Sequence, residues 1–260
     1  CMWCTNCNKA SYSDVCEVCG GKTQQDTPME LYWCDSCRVP VIRELSDTSP
    51  MICPSCGKPI RYLAKDLRPV FPEERLLLEV IKGHPLSYLH SSVWASGSRY
   101  YIDGKTANLS IETLKKISAE EVAETLSQYK DKNDYSFFNE NIKTFINCNR
   151  ERLDSIKNEA TSFVVEQVKR FPNHKLVISF SGGKDSTVVA DIVTRALSDP
   201  SIVHIFGDTT LEFPTTYEYV SRFRKSNPMA IVKTAKNKKQ DFYSVCDEIG
   251  PPARMMRWCC

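Results

Sequence analysis

Four Cys-x2-Cys pairs crowd the first 56 residues: Cys4 with Cys7, Cys16 with Cys19, Cys34 with Cys37, and Cys53 with Cys56. Two thiolates two residues apart reach one ion through a tight turn, and two such turns complete a tetrahedral S4 site. Taken in chain order, the pairs give C-x2-C-x8-C-x2-C and C-x2-C-x15-C-x2-C, each followed by a glycine, Gly20 or Gly57, that is able to take the left-handed backbone of a metal knuckle. A disulfide scaffold also concentrates cysteines in short loops. Strict two-residue spacing four times over, with no export signal at the start of the chain, favours Zn2+ instead. Two zinc ribbons over residues 1–62 follow, and both ions are structural, because four thiolates leave no open position for water. Cys1 is left over and could replace Cys4 in the first site.

At roughly 100–200 residues per domain, a chain of 260 residues holds about two domains. Its net charge of +2 removes the argument for a polyanion binder based on overall charge, leaving only local basic patches. No run of 18 apolar residues occurs, so the expectation is a cytoplasmic protein with no membrane partner. Starting at Cys1 and stopping at Cys260, the sequence reads as a piece of a longer protein.

Residues 63–149 read as a small α+β connecting domain. The run Leu76 to Ile81 before Gly83 predicts a short helix, and Val93-Trp94 and Arg99 to Ile102, separated by Gly97 and followed by Asp103-Gly104, predict a small antiparallel β element. Trp94, Tyr100 and Tyr101 are expected to form core rather than a stacking platform for bases. From Arg150 to Phe171, Ile156, Ala160, Phe163, Val164 and Val168 recur at helical spacing, which predicts an amphipathic helix with one face covered.

The chemistry concentrates after that helix. The apolar run Lys175 to Phe180 suits a buried parallel strand and leads without a gap into Ser181-Gly182-Gly183-Lys184-Asp185-Ser186. Val188, Val189, Ile192, Val193, Ala196 and Leu197 then mark one face of a helix. Glycines at such a strand-to-helix turn let main-chain amides approach a phosphate; Ser181 and Ser186 add hydroxyls, and Lys184 adds a point charge. A second strand, Ile202 to Phe206, ends at Gly207-Asp208, and a third is expected over Met229 to Val232, before a basic run, Lys233 to Lys239, that reads as a solvated loop. Strands alternating with helices form a parallel sheet whose ligands sit beyond the strands' carboxyl ends, where Asp208 could hold Mg2+ or a ribose hydroxyl. Arg254 and Arg257 could add bidentate phosphate contacts.

The loop Ser181 to Ser186 fits neither GxxxxGK[ST] nor GxGxxG. It resembles the SGGxDS pyrophosphate loop of the PP-loop adenine nucleotide alpha-hydrolase superfamily. Residues 207–220, with Asp208-Thr209 and Phe213-Pro214-Thr215-Thr216-Tyr217, resemble the D-T-x-x-x-F-P-E-T-Y segment of the phosphoadenosine phosphosulfate reductase family. The resemblance covers residues 150–260. It implies an α/β fold with a parallel sheet, Ser181, Gly182, Gly183, Lys184, Asp185 and Ser186 on phosphate, and Asp208 and Glu212 near the nucleotide or its metal. Relatives that split ATP between its α and β phosphates keep SGGKDS, whereas sulfonucleotide reductases carry a degraded loop. The intact loop therefore points to Mg-ATP-dependent adenylyl transfer with pyrophosphate release, which prepares an acceptor for sulfur transfer, with Lys184, Asp185 and Asp208 as the catalytic groups. Two alternatives stand beside it: a phosphoadenylyl-sulfate or adenylyl-sulfate reductase, and a zinc-ribbon module that binds nucleic acid, tRNA or DNA, with the nucleotide site as a switch. Adjacent Cys259 and Cys260 resemble half of the cysteine set that holds a 4Fe–4S cluster in adenylylsulfate reductases.

Overall fold

In a computed structural model of the chain, residues 2–4, 6, 7, 9–11, 13–24, 29–45, 47–110, 115, 117–253, 255 and 258 are described. Packing divides the chain into two units, Cys1–Leu153 and Asp154–Cys260.

In the first unit, β1 (Met2–Cys4) and β2 (Lys9–Ser11) form an antiparallel pair that carries the first cysteine cluster. The second cluster hangs from β3 (Met29–Cys34), β4 (Val39–Glu44) and β5 (Arg61–Ala64), ordered β4-β3-β5. Four more strands, β6 (Arg68–Pro69), β7 (Val93–Ser96), β8 (Arg99–Ile102) and β9 (Lys105–Ala107), make an antiparallel sheet. The turn from β8 to β9 is the two-residue Asp103-Gly104, both at positive φ (47° and 71°), as the right-handed strand twist of a tight hairpin requires. Among the described residues, α1 (Pro72–Ile81) is the short helix expected before Gly83, and it is joined by α2 (Ala119–Tyr129), which Ser118 and Glu121 start with a capping box, and α3 (Ser136–Cys148).

Residue 62, the end of the ribbon span read from the cysteine spacing, lies inside β5, and the second ribbon shares its core with the segment that follows. Trp33 and Ala64 pack with Trp94 and Tyr101, and Cys34, Val39, Val41 and Ile60 pack with Cys148. The aromatics are core, as expected: Trp94 and Tyr101 are buried, and Tyr100 turns its hydroxyl to Glu74 at 2.8 Å. Long-range polar contacts complete the join. Arg38 Nη2 reaches Asp103 at 2.7 Å, and Asn149, just past α3, pairs with the free edge of β4 as a strand would. The Ile42 amide donates to Asn149 Oδ1 at 2.7 Å, and Asn149 Nδ2 donates to the Pro40 carbonyl at 3.0 Å.

The second unit is built on β10 (Val177–Ser179), β11 (Val203–Asp208) and β12 (Ile231–Lys236), a parallel sheet in sequential order. Helices α5 (Lys184–Leu197) and α6 (Pro214–Ser226) are the crossovers, and α7 (Phe242–Ile249) follows β12. The core lies on one face of the sheet, where Ile178, Phe180 and Phe206 meet Ala190 and Val193 of α5 and Val220 of α6. The opposite face is open among the described residues: Val177, Ile205 and Ile231, alternating with the buried positions, are exposed. β10 is therefore covered on one side only, not on both as its apolar run suggested.

The helix α4 (Arg150–Arg170) behaves similarly, with Val164 packed on the core while Ile156 and Phe163 stay exposed. The third strand runs later than its β-branched residues indicated. Parallel pairing with β11 carries it through Lys233 to Lys236, so part of the supposed basic loop is strand. Among the described residues, no helix is long and apolar enough to cross a membrane.

Candidate functional site

Each cysteine cluster brings its four sulfurs within 4.8 Å of one another: Cys4, Cys7, Cys16 and Cys19 in the first, and Cys34, Cys37, Cys53 and Cys56 in the second. Ligands about 2.3 Å from a central ion stand about 3.8 Å apart at the edges of a tetrahedron. The observed edges fit that figure: Cys4–Cys19 at 3.5 Å, Cys7–Cys16 at 3.9 Å, Cys34–Cys56 at 3.5 Å and Cys37–Cys53 at 3.8 Å. A disulfide needs sulfurs about 2.05 Å apart, and the described cysteines are all free. Main-chain amides support the thiolates, from Cys7 to Cys4, Val18 to Cys16 and Cys37 to Cys34, each at 3.4 Å. Gly20 and Gly57 both sit at φ 69°, closing the knuckles as their positions suggested, and Arg38 takes the same left-handed conformation (φ 55°) without being glycine. The first cluster closes with Cys4, and Cys1 lies outside the described residues. Both donor sets fit Zn2+ in a closed, structural site.

In the second unit, β10 ends and the chain turns through Ser181, Gly182 and Gly183 into α5. Gly182 holds φ 73°, and Gly183 is the extended N-cap residue of the helix, with φ −83° and ψ 168°. No side chain caps this end, so the first-turn amides of α5 are left for a ligand, and the helix dipole adds partial positive charge there. Hydroxyls organise the turn from within. Ser186 and Thr187 both donate to the Gly183 carbonyl, at 3.0 and 2.9 Å, and Ser181 donates to Ser186 at 3.1 Å. With the Thr187 amide, which donates to the same oxygen at 3.1 Å, these hydroxyls hold the Gly183 carbonyl within the first turn of α5. Lys184 and Asp185 are exposed at the same helix start.

Asp208 ends β11, the neighbouring strand, so it and the loop share the carboxyl edge of the sheet. Its side chain is 7% exposed and fully engaged. Tyr217 donates to Oδ1 at 2.6 Å, the Thr210 amide donates to the same oxygen at 2.9 Å, and Lys236 Nζ lies 3.2 Å from Oδ2. Burial pushes the Asp208 carboxyl up, but these three donors outweigh it and hold the group below the ordinary carboxylate range. The same contact drives the Tyr217 phenol up to about 12. Glu212 accepts from Thr209 at 2.9 Å.

A cleft of about 450 Å3 opens beside Asp208, walled by Thr210, Lys236, Gln240, Phe242 and Trp258. Phe242 and Trp258 meet with ring centres 5.0 Å apart and give the cleft one aromatic wall. Of the residues read from sequence, the loop Ser181 to Ser186 and Asp208 come to one edge, with Glu212 four residues beyond. Arg254, Arg257, Cys259 and Cys260 lie outside the described residues. Lys236, Tyr217 and Trp258 went unassigned in the sequence. Tyr217 is the last residue of the D-T-x-x-x-F-P-E-T-Y segment and could have been found there, whereas Lys236 was hidden in a run of similar charges.

Residues 175–260 match the family model of the phosphoadenosine phosphosulfate reductase domain. Uncharacterized protein MJ0973 of Methanocaldococcus jannaschii is 30% identical over 122 residues, 46% of this chain and 28% of the relative. Uncharacterized protein MJ0066 of the same organism is 27% identical over 159 residues, 59% of this chain and 32% of the relative. The matched stretches thus span less than a third of either relative. No solved structure gives a significant match.

Proposed function

We propose that the second unit binds Mg-ATP and transfers its adenylyl group to an acceptor, releasing pyrophosphate. The observation that carries this reading is the intact Ser181 to Ser186 turn, braced from within by its two serine hydroxyls, at an uncapped helix start whose amides and exposed Lys184 stand at the carboxyl edge of a parallel sheet. An oxygen or nitrogen of the acceptor attacks the α phosphorus while the bond from that phosphorus to the bridging oxygen breaks, and the electron pair leaves with pyrophosphate. Negative charge then grows on the leaving group. The loop amides and Lys184 face that charge with dipoles already oriented, so they stabilise the transition state more than the ground state. Asp185, exposed on the first turn, is the carboxylate free to hold Mg2+, which when bound neutralises phosphate charge. Asp208, held by three donors, fixes Lys236 and Tyr217 at the edge of the cleft. The zinc ribbons serve as folded supports, and the acceptor class that joins them to this chemistry is a tRNA or DNA base activated for sulfur transfer.

The test is turnover with two substrates in parallel, α-labelled ATP scored for pyrophosphate release and a sulfonucleotide with a thiol reductant scored for sulfite. The reading expects pyrophosphate from ATP, with Lys184→Ala at least about tenfold slower, roughly 1.4 kcal/mol of transition-state binding. Sulfite release without pyrophosphate would replace it with reductase chemistry.

A further inference from the structure

Behind the phosphate turn stands a residue that no motif marked. Tyr219, on α6, reaches the loop in three ways. Its hydroxyl lies 2.9 Å from Thr187 Oγ1, its ring stacks on Phe180, the residue before the turn, and a methyl built on Gly182 would meet its Cδ1 at 3.7 Å. The direction of the hydroxyl contact can be assigned. Thr187 has one proton, and it goes to the Gly183 carbonyl at 2.9 Å, so Tyr219 is the donor to Thr187. The chain Tyr219 O–H to Thr187 O–H to Gly183 C=O therefore ends on the peptide that sets the loop's shape. Chains of this kind polarise along their length, each bond strengthening the next. Two residues earlier on the same helix, Tyr217 holds Asp208, so α6 grips both halves of the site.

We infer that Tyr219 is a positioning residue for the phosphate loop: through Thr187 it fixes the Gly183 carbonyl inward and so keeps the loop amides aimed at the anion. This rests on the nucleotide reading above and deepens it. Loss of the hydroxyl alone leaves the ring packed on Phe180, so the fold persists while the loop loosens.

The experiment titrates inorganic pyrophosphate into the full chain and into Tyr219→Phe, Thr187→Val and the double variant, with the melting temperature of each measured alongside. Each single change is expected to weaken pyrophosphate binding about three- to tenfold, the range of one hydrogen bond, with melting little altered. Because both changes cut one chain, the double variant should be no weaker than the weaker single. Unchanged binding in Tyr219→Phe, a fully multiplicative double variant, or loss of binding only in step with loss of melting temperature overturns the inference and leaves the nucleotide reading standing. No pyrophosphate binding by the unsubstituted chain overturns both.

Discussion

Gly182 and Gly183 are adjacent in sequence and should fail in opposite ways when changed to alanine. At Gly182 the backbone is left-handed, and an added methyl would stand 3.2 Å from Val220 Cγ2 and 3.3 Å from Thr216 Cγ2. The left-handed conformation costs a non-glycine residue about 1–2 kcal/mol, the crowding adds about 1, and the stiffer unfolded chain returns about 0.4–1. The net loss is about 2 kcal/mol, about 30-fold in the opening equilibrium. Gly183 is extended, and its added methyl would meet only Ser181 Oγ, at 3.4 Å. Stability should stay within about 0.5 kcal/mol there. Apart from its chain neighbours, no other protein atom lies within 4 Å of that methyl, so in a turn that must let an anion close to its amides it takes up space the anion needs, and pyrophosphate binding should weaken about tenfold or more. Hydrogen exchange on peptides covering 177–197 reads the stability of this unit separately from the ribbons, and calorimetric titration reads binding. Equal destabilisation by the two variants, or full-strength pyrophosphate binding by Gly183→Ala, would refute the reasoning.

Other consequences follow from the remaining contacts. Metal analysis should find two Zn2+ per chain, and Co2+ exchange should give the intense sulfur-to-metal bands of tetrahedral thiolate sites; Cys53→Ser should remove one ion and unfold the second ribbon. Gly104→Ala places a methyl 2.6 Å from the Trp33 ring at a residue with φ 71°, so the first unit should lose about 3 kcal/mol or more in urea titration. Asp208 has a depressed carboxyl, so its stabilising contribution is complete above the unfolded value of about 3.9 and is lost as pH falls through the lower folded value. The melting difference between the unsubstituted chain and Asp208→Asn should therefore be constant near neutral pH and shrink in acid.

The parts legible in sequence are those whose physics is local. Cysteine spacing, Gly20 and Gly57 at the knuckles, the Asp103-Gly104 turn and the strand–glycine–helix order around Ser181 each need only a few neighbouring residues to be recognised. What escaped depends on partners far along the chain. Nothing near Asn149 says that it will finish the edge of β4, 107 residues away at Ile42. The end of β12 is set by its register against β11 rather than by its own Lys-rich composition, and that register is what brings Lys236 to Asp208. Apolar periodicity in α4 and β10 indicated faces fit for burial but not whether anything covers them. Tyr219 looked like one tyrosine among eleven, and only its distance to Thr187 singles it out.

Amide chemical shifts of Gly183, Lys184, Asp185 and Ser186 during addition of Mg-ATP bear most directly on the claim that this turn grips phosphate. Strong downfield movement concentrated on those four amides, abolished when pyrophosphate competes, is the expected result. Saturable ATP binding that leaves them unmoved, or no binding at all, would contradict it.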